Sequence, residues 1–206
     1  MVRELAFVLP AVFVVVDPLG VLPAFIAMTA RDSAEKVRRM ALRACLAGAG
    51  LLLFFAFFGA LLFKFFGVTL PAFRVAGGLL LMLTALDMLR ARPVQTRSSE
   101  EELREGEEKD DIAIIPLAMP LLAGPGSIAT VMVLVAEGKD AFSGAVVAAS
   151  VVLTFLATYL LLRAAAHVKR ALGQTGLAVL QRLSGLILAS LAVQIVAEGV
   201  RTLLKL

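Results

Sequence analysis

Charge is scarce in this chain. Only 17% of its 206 residues are Asp, Glu, Lys or Arg, while 60% are hydrophobic and the mean hydropathy is +0.94. A soluble domain carries about a quarter charged residues, so a water-soluble globule is a poor fit. Cysteine is reduced to Cys45, which rules out an internal disulfide and says nothing about redox compartment. Histidine is reduced to His167, and no metal site or cofactor is expected. Asparagine is missing altogether; it is a thermolabile residue depleted in proteins from hot environments. Charge is absent in blocks: Ala44 to Phe63 gives 20 uncharged residues and Ala141 to Leu162 gives 22. Crossing a bilayer takes about 20 apolar residues, so these blocks specify a polytopic all-α membrane protein. No residues remain for a second, soluble domain.

Six spans follow from the runs, near 5–30, 40–66, 67–90, 112–136, 141–166 and 176–204. Two of them are interrupted at mid-run. Leu5 to Ala30 has one charge, Asp17, followed by Pro18-Leu19-Gly20; Ile112 to Ala136 has no charge and contains Gly124-Pro125-Gly126-Ser127. A signal peptide is the ordinary reading of an apolar N-terminal run, but an Asp-Pro pair is wrong for its core. Backbone broken at half depth is tolerated only where it lines a protein-enclosed cavity. Two such breaks in corresponding positions point to a transporter's binding site.

The halves correspond. Pro18 aligns with Pro125, and Arg74-Val75-Ala76-Gly77 aligns with Arg182-Leu183-Ser184-Gly185 at nearly the same offset, allowing a single insertion. Three spans per half, an odd number, invert the second half relative to the first. The expected organisation is therefore a three-span repeat at 1–90, a charged linker at 91–111, and an inverted three-span repeat at 112–206. Connections near 31–43, 90–111 and 163–182 hold 14 Lys and Arg against 6 on the other face. The positive-inside rule then puts both termini outside and the linker in the cytoplasm. The net charge of +4 is a topology signal and not a nucleic-acid footprint. In the linker, Glu100–Arg104 and Glu105–Lys109 are spaced for i,i+4 helical pairs.

Asp17 is a good N-cap, and Pro18 suits a first helical position because its missing N–H would be an orphan anyway. Pro125 plays the same part after Gly124. The segments Asp17–Gly20 and Gly124–Ser127 are expected to leave the helix and face each other near mid-depth. Each helix start carries about half a positive charge and unpaired N–H donors, which favour an anion. Gly20, Gly124 and Gly126 leave that backbone open to approach, and Ser127 adds a hydroxyl. A charge at the depth of Asp17 is costly and marks a functional site. It reads as a helix cap, as a counter-charge for a substrate ammonium, or as a carrier of a coupling proton or Na⁺. Convergent N–H donors plus one carboxylate suit a zwitterion. Arg74, Arg182 and Asp87 form a second tier: each Arg either snorkels to an interface or turns inward, and Asp87 pairs with Arg90 at a helix end or faces the site.

Other classes compete with transport. Ser127 and His167 could be imagined as a nucleophile and base, but His167 sits among Arg163, Lys169 and Arg170 at the end of a span, so no enzyme is expected. A passive pore for small neutral solutes also places helix N-termini at mid-depth, although Asp17 would recruit cations. Phe54, Phe55, Phe57 and Phe58 read as lipid-facing or packing residues. Ala47-Gly48-Ala49-Gly50 and Ser143-Gly144-Ala145 permit close helix contact, within one chain or between subunits. The partners expected are membrane lipid and a small solute, with an oligomer left open.

Four stretches together resemble the MarC family of integral membrane proteins: Asp17-Pro18-Leu19-Gly20-Val21-Leu22-Pro23, Arg74-Val75-Ala76-Gly77-Gly78-Leu79-Leu80-Leu81, Ala85-Leu86-Asp87-Met88-Leu89, and Pro116 through Ile128 with its Leu121-Leu122-Ala123-Gly124-Pro125-Gly126-Ser127 core. The resemblance runs over nearly the whole chain. It implies a six-span protein of the cytoplasmic membrane, and some members of that family are described as transporters of small neutral amino acids such as glycine and alanine.

Overall fold

Prolines and small residues decide where helices start and how closely they pack. The computed structural model describes residues 2–30, 32–90, 113–138 and 141–205; the linker expected at 91–111 lies outside the described residues. The described residues are helical, in the order α1 (Val2–Val16), α2 (Pro18–Met28), α3 (Ala34–Phe66), α4 (Leu70–Leu89), α5 (Ala113–Leu122), α6 (Pro125–Glu137), α7 (Ala141–Arg163) and α8 (Ala165–Leu203). No strand occurs among them. Side-chain caps set several starts. Ser33 accepts from Lys36 N at 3.3 Å to begin α3, and Thr69 accepts from Ala72 N at 3.4 Å to begin α4. Gly67, at φ 66°, ends α3 in the left-handed region that glycine reaches freely.

Five helical stretches are long and apolar enough to cross a membrane: Glu4–Met28, Ala34–Phe66, Leu70–Leu89, Ser143–Arg163 and Thr175–Leu203. The fourth expected span is not a single helix. Its second part, Pro125–Ala136, is a shorter apolar helix, and its first part, α5, is wound irregularly. Within α5, Ile115 (φ −124°, ψ 122°) and Met119 (φ −133°, ψ 125°) are extended. Each precedes a proline, Pro116 or Pro120, and the residue before proline is driven out of the α region. Ala123 N donates to Ala118 O at 2.8 Å, a π-type i→i−5 bond that absorbs the disruption. At the other end of the chain, Gly173 (φ 62°, ψ −175°) kinks α8 just ahead of its apolar stretch.

Packing follows the small residues. Gly48 of α3 takes the Phe155 ring of α7, where an added methyl would come within 2.6 Å of the ring edge. Gly78 of α4 meets the backbone of α8 at Ala192 and Val196, while Gly185 of α8 meets that of α4 at Ala85 and Leu89. These glycines let two helix backbones approach where any side chain would hold them apart. The main core is built around Val12, Val16, Leu22, Phe25, Leu52, Leu117, Leu122 and Phe155. Outward, the surface is apolar as well: Phe54, Phe57, Phe58, Leu61 and Phe65 of α3 are about half or more exposed, whereas Phe55 is partly covered. An apolar exterior of this extent belongs in lipid.

Candidate functional site

Both proline-led helix starts adjoin buried residues: Pro18 is buried together with Asp17 and Gly20, whereas Pro125 is exposed between the buried Gly124 and Ser127. At the first, Asp17 is 4% exposed and occupies the left-handed region at φ 54°, ψ 62°. Asp tolerates that conformation better than most residues, because its short side chain bonds locally. Its Oδ1 accepts from Gly20 N at 3.1 Å, and Asp17 N still donates back to Phe13 O at 2.9 Å. The chain therefore turns at one residue, and Pro18, Leu19 and Gly20 already belong to α2. Gly20 is required here. A β-carbon at that position would overlap the Asp17 carboxylate and come 2.9 Å from Met88 Cε.

At the second start, Gly124 is extended (φ −78°, ψ 170°) and provides no side-chain cap. Pro125 is again the first helical residue. Ser127, 2% exposed, is placed to donate to Gly124 O at 3.0 Å or Leu122 O at 3.3 Å, so its hydroxyl staples the break. Gly126 faces Leu81, whose Cδ2 a β-carbon would overlap. The break here also narrows to Gly124, with Pro125 to Ser127 in the first turn of α6. The expected four-residue non-helical segments are thus too long at both sites, because a proline with its φ already helical starts the next helix at once.

Gly124, Pro125, Gly126 and Ser127 line a recess with Leu80, Leu81 and Thr84; its volume is about 10 Å³, and Asp17 is not among its walls. A water needs about 10–15 Å³, so the recess as it stands holds no more than one. Thr84 Oγ1 donates to Leu80 O at 3.0 Å. At the second tier the expected equivalence fails. Arg74 is half-buried and lines a cavity of about 230 Å³ between α1, α4, α6 and α8, whereas Arg182 is exposed. Asp87 is half-buried and His167 exposed.

That larger cavity is also lined by three residues outside the set expected from the sequence: Thr130, which is buried, and Gln194 and Glu198, which are exposed at its rim. Their signal was available. Gln194 and Glu198 are spaced i,i+4 inside the last apolar run, and Gln194 Nε2 donates to Glu198 Oε1 at 3.2 Å. Among the described residues no group of three or more His, Cys, Asp or Glu is placed to hold a metal.

Five helical stretches of bilayer length with an apolar exterior define a multi-pass integral membrane protein. The chain belongs to the MarC family: residues 3–204 match the family described as MarC family integral membrane protein. It is 39% identical over 191 residues to a UPF0056 membrane protein of Methanocaldococcus jannaschii, covering 93% of each chain. A UPF0056 membrane protein of Aquifex aeolicus is 40% identical over 196 residues, 93% of this chain and 89% of its own. One of Bacillus subtilis is 35% identical over 192 residues, 93% and 91% of the two chains. No solved structure matches the chain.

Proposed function

We propose that this protein is a secondary transporter of small neutral amino acids or similar small zwitterionic solutes. It resides in the cytoplasmic membrane with both termini outside and performs no catalytic chemistry. One observation carries the reading: α2 and α6 both begin with a proline, one next to the buried Asp17 carboxylate and the other, itself exposed, between the buried Gly124 and Ser127. Helix starts enclosed at membrane depth are favoured where their N–H donors and dipoles meet a ligand. A solute carboxylate is drawn to such ends, and Asp17 offers a counter-charge for its ammonium or a carrier for a coupling proton or Na⁺. The Ser127 hydroxyl, held by carbonyls of its own break, is not free to act as a nucleophile.

Six crossings in two inverted three-span repeats fit the packing. Gly78 faces Ala192 O and Val196 N, and Gly185 faces Ala85 O and Leu89 N. A single offset of 107 residues carries Gly78 onto Gly185, Ala85 onto Ala192 and Leu89 onto Val196, one residue away from the register read in the sequence, so that Arg74 falls on Gln181 and not on Arg182. Likewise α1 lies against α7 while α5 lies against α3, and α2 lies against α8 while α6 lies against α4. Reciprocity of this kind is what a two-fold axis between the halves demands. The sidedness of 14 against 6 basic residues supports termini outside.

A recess of about 10 Å³ at the second break argues against an open pore and for a site that must open to load. The test is flux of labelled glycine and alanine into proteoliposomes under imposed proton and sodium gradients. Saturable, gradient-driven uptake is expected. Linear uptake indifferent to both gradients would instead identify a passive pore.

A further inference from the structure

The cavity of about 230 Å³ between α1, α4, α6 and α8 carries both charges, the half-buried Arg74 in its wall and the exposed Glu198 at its rim, and the transport reading leaves it unused. Arg74 comes from the start of α4 and Glu198 from near the end of α8. The two helices run antiparallel there, with Gly199 against Pro71 O and Arg74 Cβ, so both charged residues stand at the same end of the bundle. Gln194 and Thr130 add an amide and a hydroxyl. The α1 wall is Ala11 and Val15, and Val15 is two residues from Asp17. Charged side chains in membrane helices face a water-filled or protein-lined space, because facing lipid is costly.

Its size selects the ligand. Drug-sized ligands occupy roughly 300–1,000 Å³, so this cavity suits a molecule of only a few heavy atoms plus water. Its chemistry selects the charge pattern. A planar guanidinium receives a carboxylate through paired N–H bonds, while the Glu198 carboxylate, already accepting from Gln194, receives an ammonium. The remaining wall is apolar, from Val133, Leu134, Leu191 and Ile195, and tolerates a methyl group while giving a longer polar side chain no partner.

We propose that this cavity is a second binding site. It captures a small zwitterion, carboxylate toward Arg74 and ammonium toward Glu198, before the solute passes along α1 to the break at Asp17. The assignment rests on the transport reading above and adds a site to it. Capture is separate from translocation, which stays with Asp17 and Gly124.

The test is equilibrium binding of labelled glycine and alanine to the full-length protein in lipid nanodiscs, with propionate and ethylamine as competitors lacking one charge each. Arg74→Gln is expected to weaken binding of both amino acids about tenfold or more, the scale of losing a charge-assisted hydrogen bond. It should remove competition by propionate and leave competition by ethylamine. Glu198→Gln is expected to do the reverse. A second measurement keeps both charges in place: Gln194→Cys on a Cys45→Ala background, with glycine expected to slow its alkylation by a hydrophilic maleimide. Parental binding in both charge variants, with glycine giving no protection at Gln194→Cys, overturns the site while leaving the transport reading intact, provided the parent still binds and transports. Absence of any glycine or alanine binding or flux in the parent overturns both.

Discussion

The two breaks solve one problem by different means. The first turns the chain at Asp17, which accepts a left-handed backbone and satisfies the new helix with its own carboxylate. The second turns at Gly124, which supplies nothing, so Ser127 from inside the next helix reaches back to the carbonyls of the break. One start is therefore charged and self-capped; the other is neutral and stapled. In a transporter of zwitterions that division is useful, since an ammonium needs the carboxylate and a carboxylate needs the bare N–H groups.

The largest expected effect comes from filling the space beneath the first turn. Gly20→Ala places a methyl in the Asp17 carboxylate and against Met88, so overpacking at about 1–3 kcal/mol adds to a lost cap at about 0.5–2 kcal/mol. Thermal unfolding in detergent should show a large drop or no folded protein. Gly144→Ala, where nothing lies within 4 Å, should be neutral or slightly stabilising in the same assay, since helix propensity favours Ala by about 1 kcal/mol.

Next in size are two substitutions at Asp17 itself. Asp17→Ala loses the cap and forces alanine into the left-handed region, which costs roughly 1–2 kcal/mol for a residue without a bonding side chain. Asp17→Asn keeps both the acceptor and the tolerance for a left-handed backbone, so its melting point should stay near the parent's while flux fails. The repeat is probed by Gly78→Ala and Gly185→Ala. Each introduces a β-carbon about 3.1 Å from a backbone oxygen of the opposing helix, and the two should destabilise by similar amounts. Unequal losses would weaken the two-fold relation. Ser127→Ala should cost less, about 1 kcal/mol for one hydrogen bond, and break no charge. Smallest of all, Arg182→Gln at an exposed position should stay within about 0.5 kcal/mol.

Sequence alone located both turns, because proline after Asp or Gly inside an apolar run marks a helix start whatever surrounds it. It also exposed the offset between Pro18 and Pro125, which the α4–α8 glycine contacts repeat. The shape of the turns was less legible: whether Asp17 enters the left-handed region depends on tertiary packing around Gly20 and Met88. The irregularity of α5 was written in Pro116 and Pro120, yet the unbroken apolar run disguised it. Arg74 and Arg182 look equivalent in the alignment of halves and differ in burial, and the α4–α8 glycine contacts shift that alignment by one residue, setting Arg74 against Gln181. Gln194 and Glu198 are legible as a polar i,i+4 pair in an apolar run, but their nearness to Arg74 depends on α8 lying beside α4, a juxtaposition that local pattern does not encode.

The most direct test of the central claim is counterflow of labelled alanine in proteoliposomes, measured side by side for the parent and for Asp17→Asn. Saturable counterflow is expected in the parent. It should be lost in a variant that melts within a few degrees of the parent. Equal counterflow in the two proteins across pH would reduce Asp17 to a helix cap and contradict its role in binding or coupling.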